Sequence, residues 1–143
     1  MKIYSPEFEH GQAIPSKYTC QGKDINPPLK IEDISDRAKT LALIVEDPDA
    51  PGGNFVHWVV FNIPIINEIK EDSKPGTEGM NDFHRKTFGG PCPPSGSHRY
   101  FFRLYALDKQ LPLKEGSGRD ALMDAMTGDI IEKAELMGTF KKS

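Results

Sequence analysis

The chain reads as mostly β: an antiparallel β-sandwich with long loops and one helix in its C-terminal region. Three observations point there. The 12 prolines and 13 glycines are spread along all 143 residues and break the chain into short elements. Four segments alternate with the two-residue period of a strand, and only one carries the spacing of an amphipathic helix.

In chain order, Tyr4 to Phe8 and Leu29 to Ile31 are short, weaker strands. Thr40 to Asp47 alternates cleanly, with Leu41, Leu43, Val45 and Asp47 on one face. Its other face is apolar too, which predicts a central strand. Val56 to Ile63 is similar, and strict alternation puts His57, Val59, Phe61 and Ile63 together, with Trp58 facing away into the core. Ile66 to His84 is polar, contains Gly and Lys, and reads as an extended loop. Arg99 to Leu107 is the third long strand. His98, Tyr100, Phe102, Leu104 and Ala106 share one face, while Arg99 and Arg103 take the other, toward solvent or acidic partners. The helix follows, with Ser117 as cap and Asp120 three residues on. Leu122, Ala125 and Met126 form its apolar stripe, and Gly128 suits the position after its end. Lys133 to Phe140 alternates again, with Ala134, Leu136, Gly138 and Phe140 on one face.

A chain of this length is expected to form one domain, residues 1–143, with a hydrophobic core of its own. The formal net charge of −3 and pI of about 5.8 argue against a broad nucleic-acid footprint, which needs a basic face. No apolar run is long enough to span a bilayer, and the N-terminal segment lacks the apolar stretch of a secretory signal. A cytoplasmic location is therefore expected. Cys20 and Cys92 form no metal-binding spacing, and in a reducing compartment they are expected to be free thiols, with a disulfide between them as the lesser alternative.

Chemistry concentrates in two stretches, Asp47 to Pro64 and Gly89 to Asp108. In each, a stiff Pro/Gly loop sits beside a strand that carries histidine near its end. Asp47 and Asp49 flank Pro48. Aspartates in such a turn commonly cap backbone N–H groups, and at least one is expected to reach an imidazole or a bound cationic group instead. His57 lies in an apolar strand, where histidine is often a satisfied core residue. His98 and Tyr100 are two apart and point one way. Two imidazoles, a phenol and loop N–H groups suit an oxyanion such as phosphate. His10 and His84 lie in polar segments and read as surface residues. Anion binding should be strongest with at least one imidazole protonated, so affinity for an anion of fixed charge should fall as pH rises through about 6 to 8. No GxSxG, P-loop or GxGxxG is present, and Asp47, His57 and Ser97 make a triad only on paper.

The segments DPDAP (Asp47 to Pro51), CQGKDINPPL (Cys20 to Leu29), HWVVFNIP (His57 to Pro64) and GPCPPSGSHRYFFRLYALD (Gly90 to Asp108) resemble the signatures of the phosphatidylethanolamine-binding protein family. The form of these motifs is similar to its bacterial and archaeal branch, the YbhB/YbcL-type Raf kinase inhibitor-like proteins. The resemblance runs from Tyr4 to Phe140. It implies Greek-key connections in the sandwich and a small pocket for phosphate or a phosphoethanolamine-like headgroup. Carried over residue by residue, Asp47, His57, His98 and Tyr100 fall in that pocket, and Asp49 lies at its edge or braces the loop. Ala50, Phe55, Gly90, Pro91 and Pro93 would form walls and rim. Two positions depart from the prokaryotic pattern: Ile31 stands where tryptophan is usual, and Asp129 where histidine is usual.

The favoured function is a non-enzymatic binding protein for a small anion or phospholipid headgroup, with a regulatory role on a protein kinase or protease. Homodimerisation belongs to the same expectation; no cofactor, metal or nucleic acid does. Two alternatives stand beside it. One is a metal-dependent hydrolase using the Asp/His cluster, and the other is an interaction protein with a vestigial pocket.

Overall fold

A computed structural model describes residues 1–142. Its strands are β1 (Lys2–Tyr4), β2 (Leu29–Glu32), β3 (Thr40–Asp47), β4 (Phe55–Ile63), β5 (Glu68–Ile69), β6 (Thr77–Glu78), β7 (Ser97–Leu107) and β8 (Ile130–Lys141). One helix, α1 (Arg119–Met126), lies between β7 and β8, and a 3-10 turn spans Ser16–Tyr18. The strands form a three-stranded sheet, β1-β2-β5, and a five-stranded sheet, β6-β4-β3-β7-β8, antiparallel throughout. Within the larger sheet, the order β7-β3-β4-β6 is that of a Greek key, with the link from β4 to β6 passing through β5 of the smaller sheet.

Two apolar clusters follow from the alternation. Leu41, Leu43 and Val45 of β3 and Tyr100, Phe102 and Leu104 of β7 meet Ile3, Leu29, Ile31 and Ile69 of the smaller sheet. Ala42 and Ile44 of β3, Tyr105 and Leu107 of β7, and Val59 and Phe61 of β4 meet Leu122 and Met126 of α1. The larger sheet is therefore covered on both faces, which is why β3 is apolar on both and buried along its whole length.

The strict alternation expected for β4 fails at two bulges. Val45 pairs with Trp58 but Glu46 pairs with Val56, so His57 is an extra residue with nothing opposite. The second shift lies between Leu41, opposite Ile63, and Leu43, opposite Val60. As a result Trp58, Val60 and Ile63 belong to the inter-sheet cluster, and Val59 and Phe61 to the cluster under the helix. Trp58 does not face away from His57: the bulge turns both toward Tyr100's side of the sheet, where the His57 ring lies edge-on to Tyr100 at 5.3 Å.

Other expectations also change. Cys20 and Cys92 are not free thiols; they are joined in a disulfide, with Cα atoms 5.4 Å apart. The Cys20 N–H donates to the Pro91 carbonyl, and this contact between two loops 72 residues apart brings the thiols together. Ser117 does not cap the helix. Its hydroxyl turns back to the Lys114 carbonyl, and Gly118 occupies the cap without a side-chain bond. Gly128 does follow the helix end, at φ +87°. The first strand is Lys2–Tyr4 rather than Tyr4 to Phe8, and the polar stretch after Ile66 contains the two-residue strands β5 and β6. No helix of the described residues is long and apolar enough to cross a membrane.

Candidate functional site

At the end of the larger sheet where β3 stops and β7 starts, a cavity of about 300 Å³ opens to solvent. Asp47, His57, His98 and Tyr100 line it together with Ala50, Phe55 and Pro93. Gly90 and Pro91 do not line it. Asp49 does not either; it braces the rim. Pro51, Phe83, Cys92 and Pro94 complete the lining.

Asp47 ends β3 and uses both carboxylate oxygens. Oδ1 accepts the Asp49 N–H at 2.7 Å, which closes the Asp-Pro-Asp turn. Oδ2 accepts from His98 Nδ1 at 2.6 Å, with both side chains buried. The capping role and the functional role therefore coexist in one carboxylate. Asp49 instead forms a two-pronged pair with the Arg99 guanidinium, at 2.9 and 2.8 Å, and takes the Arg99 N–H as well. The Arg99 bonds hold its carboxyl near pKa 2. This clamp ties the turn to the first residues of β7, two positions from Asp47 on one side and one from His98 on the other.

His57 is delivered by the bulge. Its Nδ1 lies 2.7 Å from the Gly89 carbonyl, which can only accept, so this nitrogen carries the ring proton. Burial pushes its pKa below the usual histidine value, although the Gly89 carbonyl and the Asp47 carboxylate pull the other way. The Gly89 N–H returns a bond to the His57 carbonyl. Behind it, Gly90 donates to Asp24 Oδ1 at 2.7 Å and packs directly on the 3-10 turn. A Cβ at Gly90 would stand 2.4 Å from the Tyr18 carbonyl oxygen, so only glycine permits this approach.

Tyr100 is buried; the Cys92 N–H is turned to its hydroxyl, which finds no acceptor for its own proton among the described residues. Burial and then the Asp47 charge push the phenol pKa up, so it stays protonated and can donate. An unsatisfied buried hydroxyl costs free energy unless something in the cavity accepts from it.

The walls are apolar and aromatic. Phe83 meets Phe55 edge-to-face at 4.8 Å and His57 at 5.2 Å. Nothing in its polar segment marked Phe83 in advance. Buried Asn81 holds it there: its Oδ1 accepts the Phe83 and Arg85 N–H groups while its Nδ2 donates to the carbonyls of His57 and Thr87. Pro51 and Pro94 adjoin residues already expected at the rim, which was the available signal for them. Among the described residues, no lysine or arginine lines the cavity.

Of the two departures from pattern, Ile31 is a core residue at the inter-sheet cluster, and Asp129 pairs with Lys109 at 3.2 Å and is not among the lining residues. His10 and His84 are exposed, as expected. Among the described residues, no three His, Cys, Asp or Glu side chains gather as a metal-ligand set.

Comparison with known proteins places these residues in context. The model of the family described as phosphatidylethanolamine-binding protein matches residues 4–141. A UPF0098 protein of Chlamydia pneumoniae is 47% identical over 100% of both chains. One from Pyrococcus horikoshii is 48% identical over 96% of this chain and 75% of its own length. Among solved structures, the phosphatidylethanolamine-binding protein homolog CT736 of Chlamydia trachomatis superposes with a TM-score of 0.96 at 42% identity, covering 99% of this chain and 97% of that one. YbcL of E. coli superposes at 0.91 with 28% identity, over 99% and 98%.

Proposed function

The chain belongs to the phosphatidylethanolamine-binding protein family, and from that premise we propose that it binds a small oxyanion, phosphate or a phosphoethanolamine-like headgroup, in the cavity at the ends of β3 and β7. One observation carries the reading: Asp47-held His98, Gly89-held His57 and the acceptor-free hydroxyl of Tyr100 converge on one rigid, proline-rimmed space. A rim stiffened by Pro51, Pro93 and Pro94 loses little entropy when a ligand orders it. The site is read as one for binding rather than turnover. Its ionisable groups hold one another, and among the described residues no nucleophilic serine, threonine or free thiol lines the cavity.

We further propose a regulatory contact with a protein kinase or protease through the rim loops, Asp47 to Gly53 and Pro91 to Ser97, because fixed loops beside a pocket make good recognition surfaces. A cytoplasmic location belongs to the same proposal. The Cys20–Cys92 bond is the observation that opposes it, since reducing compartments keep thiols free. Alkylation of thiols in freshly lysed source cells decides that point.

The test of the binding reading is calorimetric titration with inorganic phosphate and phosphoethanolamine. A hydrogen bond from imidazole to a charged oxygen contributes about 1.5–3 kcal/mol. His57→Ala and His98→Ala should each weaken binding about ten- to a hundred-fold. Undiminished binding in both variants would move the anion site elsewhere.

A further inference from the structure

The donors and acceptors of this cavity are unusual for an anion site. The two groups that hold the imidazoles, the Gly89 carbonyl and the Asp47 carboxylate, have no proton to give. Each ring must therefore carry its hydrogen on Nδ1. In a neutral imidazole the remaining nitrogen, Nε2, is then a lone pair, and this is the atom each ring has left for the cavity. Among the described residues, no guanidinium or ammonium lines the walls to offset this. Pro51, Pro93 and Pro94 have no N–H to offer. Several nearby backbone donors are already used: Asp49 N–H by Asp47, Arg99 N–H by Asp49, Gly89 N–H by His57 and Gly90 N–H by Asp24. The Cys92 N–H is turned to the Tyr100 hydroxyl, which is itself a free side-chain donor. With neutral rings, a fully ionised oxyanion entering here would meet two lone pairs and a carboxylate.

Resting on the anion-binding reading above, we propose that the cavity takes its oxyanion together with one proton, shared between an imidazole Nε2 and a ligand oxygen. It thereby favours anions that arrive protonated, inorganic phosphate and phosphomonoesters, over sulfate and phosphodiesters. The chemistry balances without any bond to phosphorus changing: one proton enters with the anion, either on its own P–OH or from solvent onto Nε2. A phosphomonoester has a second pKa of about 6, so near neutrality its own oxygen takes up that proton at small cost. Sulfate and a phosphodiester have none to bring, so a buried ring must be charged for them. The other charged and titratable groups around the rings do not remove the requirement. Asp49 and Arg99 neutralise each other at the rim, Asp24 is held behind Gly90, and Tyr100, beside both rings, is a donor already counted.

Asp47 is then the residue that sets specificity, by fixing the tautomer of His98, and its geometry permits a clean test. Oδ1 must remain an acceptor for the Asp49 N–H. In Asp47→Asn the carbonyl oxygen keeps that place, and the amide NH₂ faces His98 Nδ1. That nitrogen now has to accept, so the ring proton moves to Nε2 and becomes a donor in the cavity without any proton uptake.

The experiment is calorimetry from pH 6.5 to 8.5 in two buffers of different ionisation enthalpy, with inorganic phosphate, phosphoethanolamine, sulfate and glycerophosphoethanolamine, a soluble diester. For the wild-type protein, all four anions should take up close to one proton at pH 8.5, and the two monoester-type anions less at pH 6.5. At pH 7.5 phosphate should bind at least about tenfold more tightly than sulfate. In Asp47→Asn, proton uptake should fall and sulfate affinity should lose its pH dependence. Sulfate bound without proton uptake, or as tightly as phosphate, overturns this inference and leaves the anion site standing. No heat with any of the four anions, at protein concentrations that detect millimolar affinity, overturns the anion site and this inference with it.

Discussion

Removing the Cys20–Cys92 bond is the perturbation whose size follows most directly from the structure. Both cysteines are exposed, so Cys20→Ser/Cys92→Ser leaves no buried polar group and no cavity in the core. The remaining effect is on the unfolded chain, which gains the freedom of a loop spanning 72 positions. Loop-closure entropy for a segment of that length corresponds to about 4 kcal/mol at 25 °C. For a chain of this size, about 3 °C of Tm accompanies each kcal/mol, so a fall of about 12 °C is expected. The two loops should stay in place below Tm, because the Cys20 N–H bond to Pro91 and the Gly90 N–H bond to Asp24 survive the substitution. The assay is differential scanning calorimetry of wild type and double variant, with thiol titration of unfolded wild type to establish that both cysteines are oxidised. A Tm within about 3 °C of an oxidised wild type would refute the entropic reasoning. Two titratable thiols in the wild type would refute the bond itself.

Three further outcomes are expected. In the free protein His57 should titrate below the ordinary value of about 6.5, as the Nδ1–H tautomer, by long-range nitrogen–proton NMR. Because its folded pKa is lower than its unfolded one, its contribution to stability should be complete above about 6.5 and be lost as pH falls below that; titration above 6.5 would contradict the burial argument. Asp49, held near pKa 2, should keep the Arg99 pair until pH falls through about 2, its contribution to stability declining from about pH 4 downward, and in Arg99→Ala its carboxyl carbon should titrate in the ordinary range. Gly90→Ala should cost about 1–3 kcal/mol in urea unfolding, since the new methyl would meet the Tyr18 carbonyl at 2.4 Å, and should also weaken phosphate binding by displacing the carbonyl that holds His57. Unchanged stability in that variant would mean that the loop packs more loosely than described.

Alternation along β3 and β7 was legible in the chain because the two-residue period is a local property of extended backbone. Leu41, Leu43 and Val45, and likewise Tyr100, Phe102 and Leu104, fall on the faces that periodicity assigns them. The stiff turns around Pro48 and Pro93 were equally visible, and with them the neighbourhood of Asp47, His98 and Tyr100. What tertiary structure decided depends on contacts between segments far apart in sequence. Register between β3 and β4 inserts His57 as an extra residue, turns Trp58 inward and reverses the faces of Val59 and Phe61, and no count along β4 alone reveals a bulge. The disulfide needed the Cys20 N–H to find Pro91 across 72 positions. Phe83 entered the wall only because Asn81 is buried against β4. The proton positions of the two imidazoles, on which the chemistry of the cavity turns, are set by the Gly89 carbonyl and the Asp47 carboxylate. Sequence could name the histidines, but a tautomer is decided by whichever atom lies opposite the ring in the folded chain.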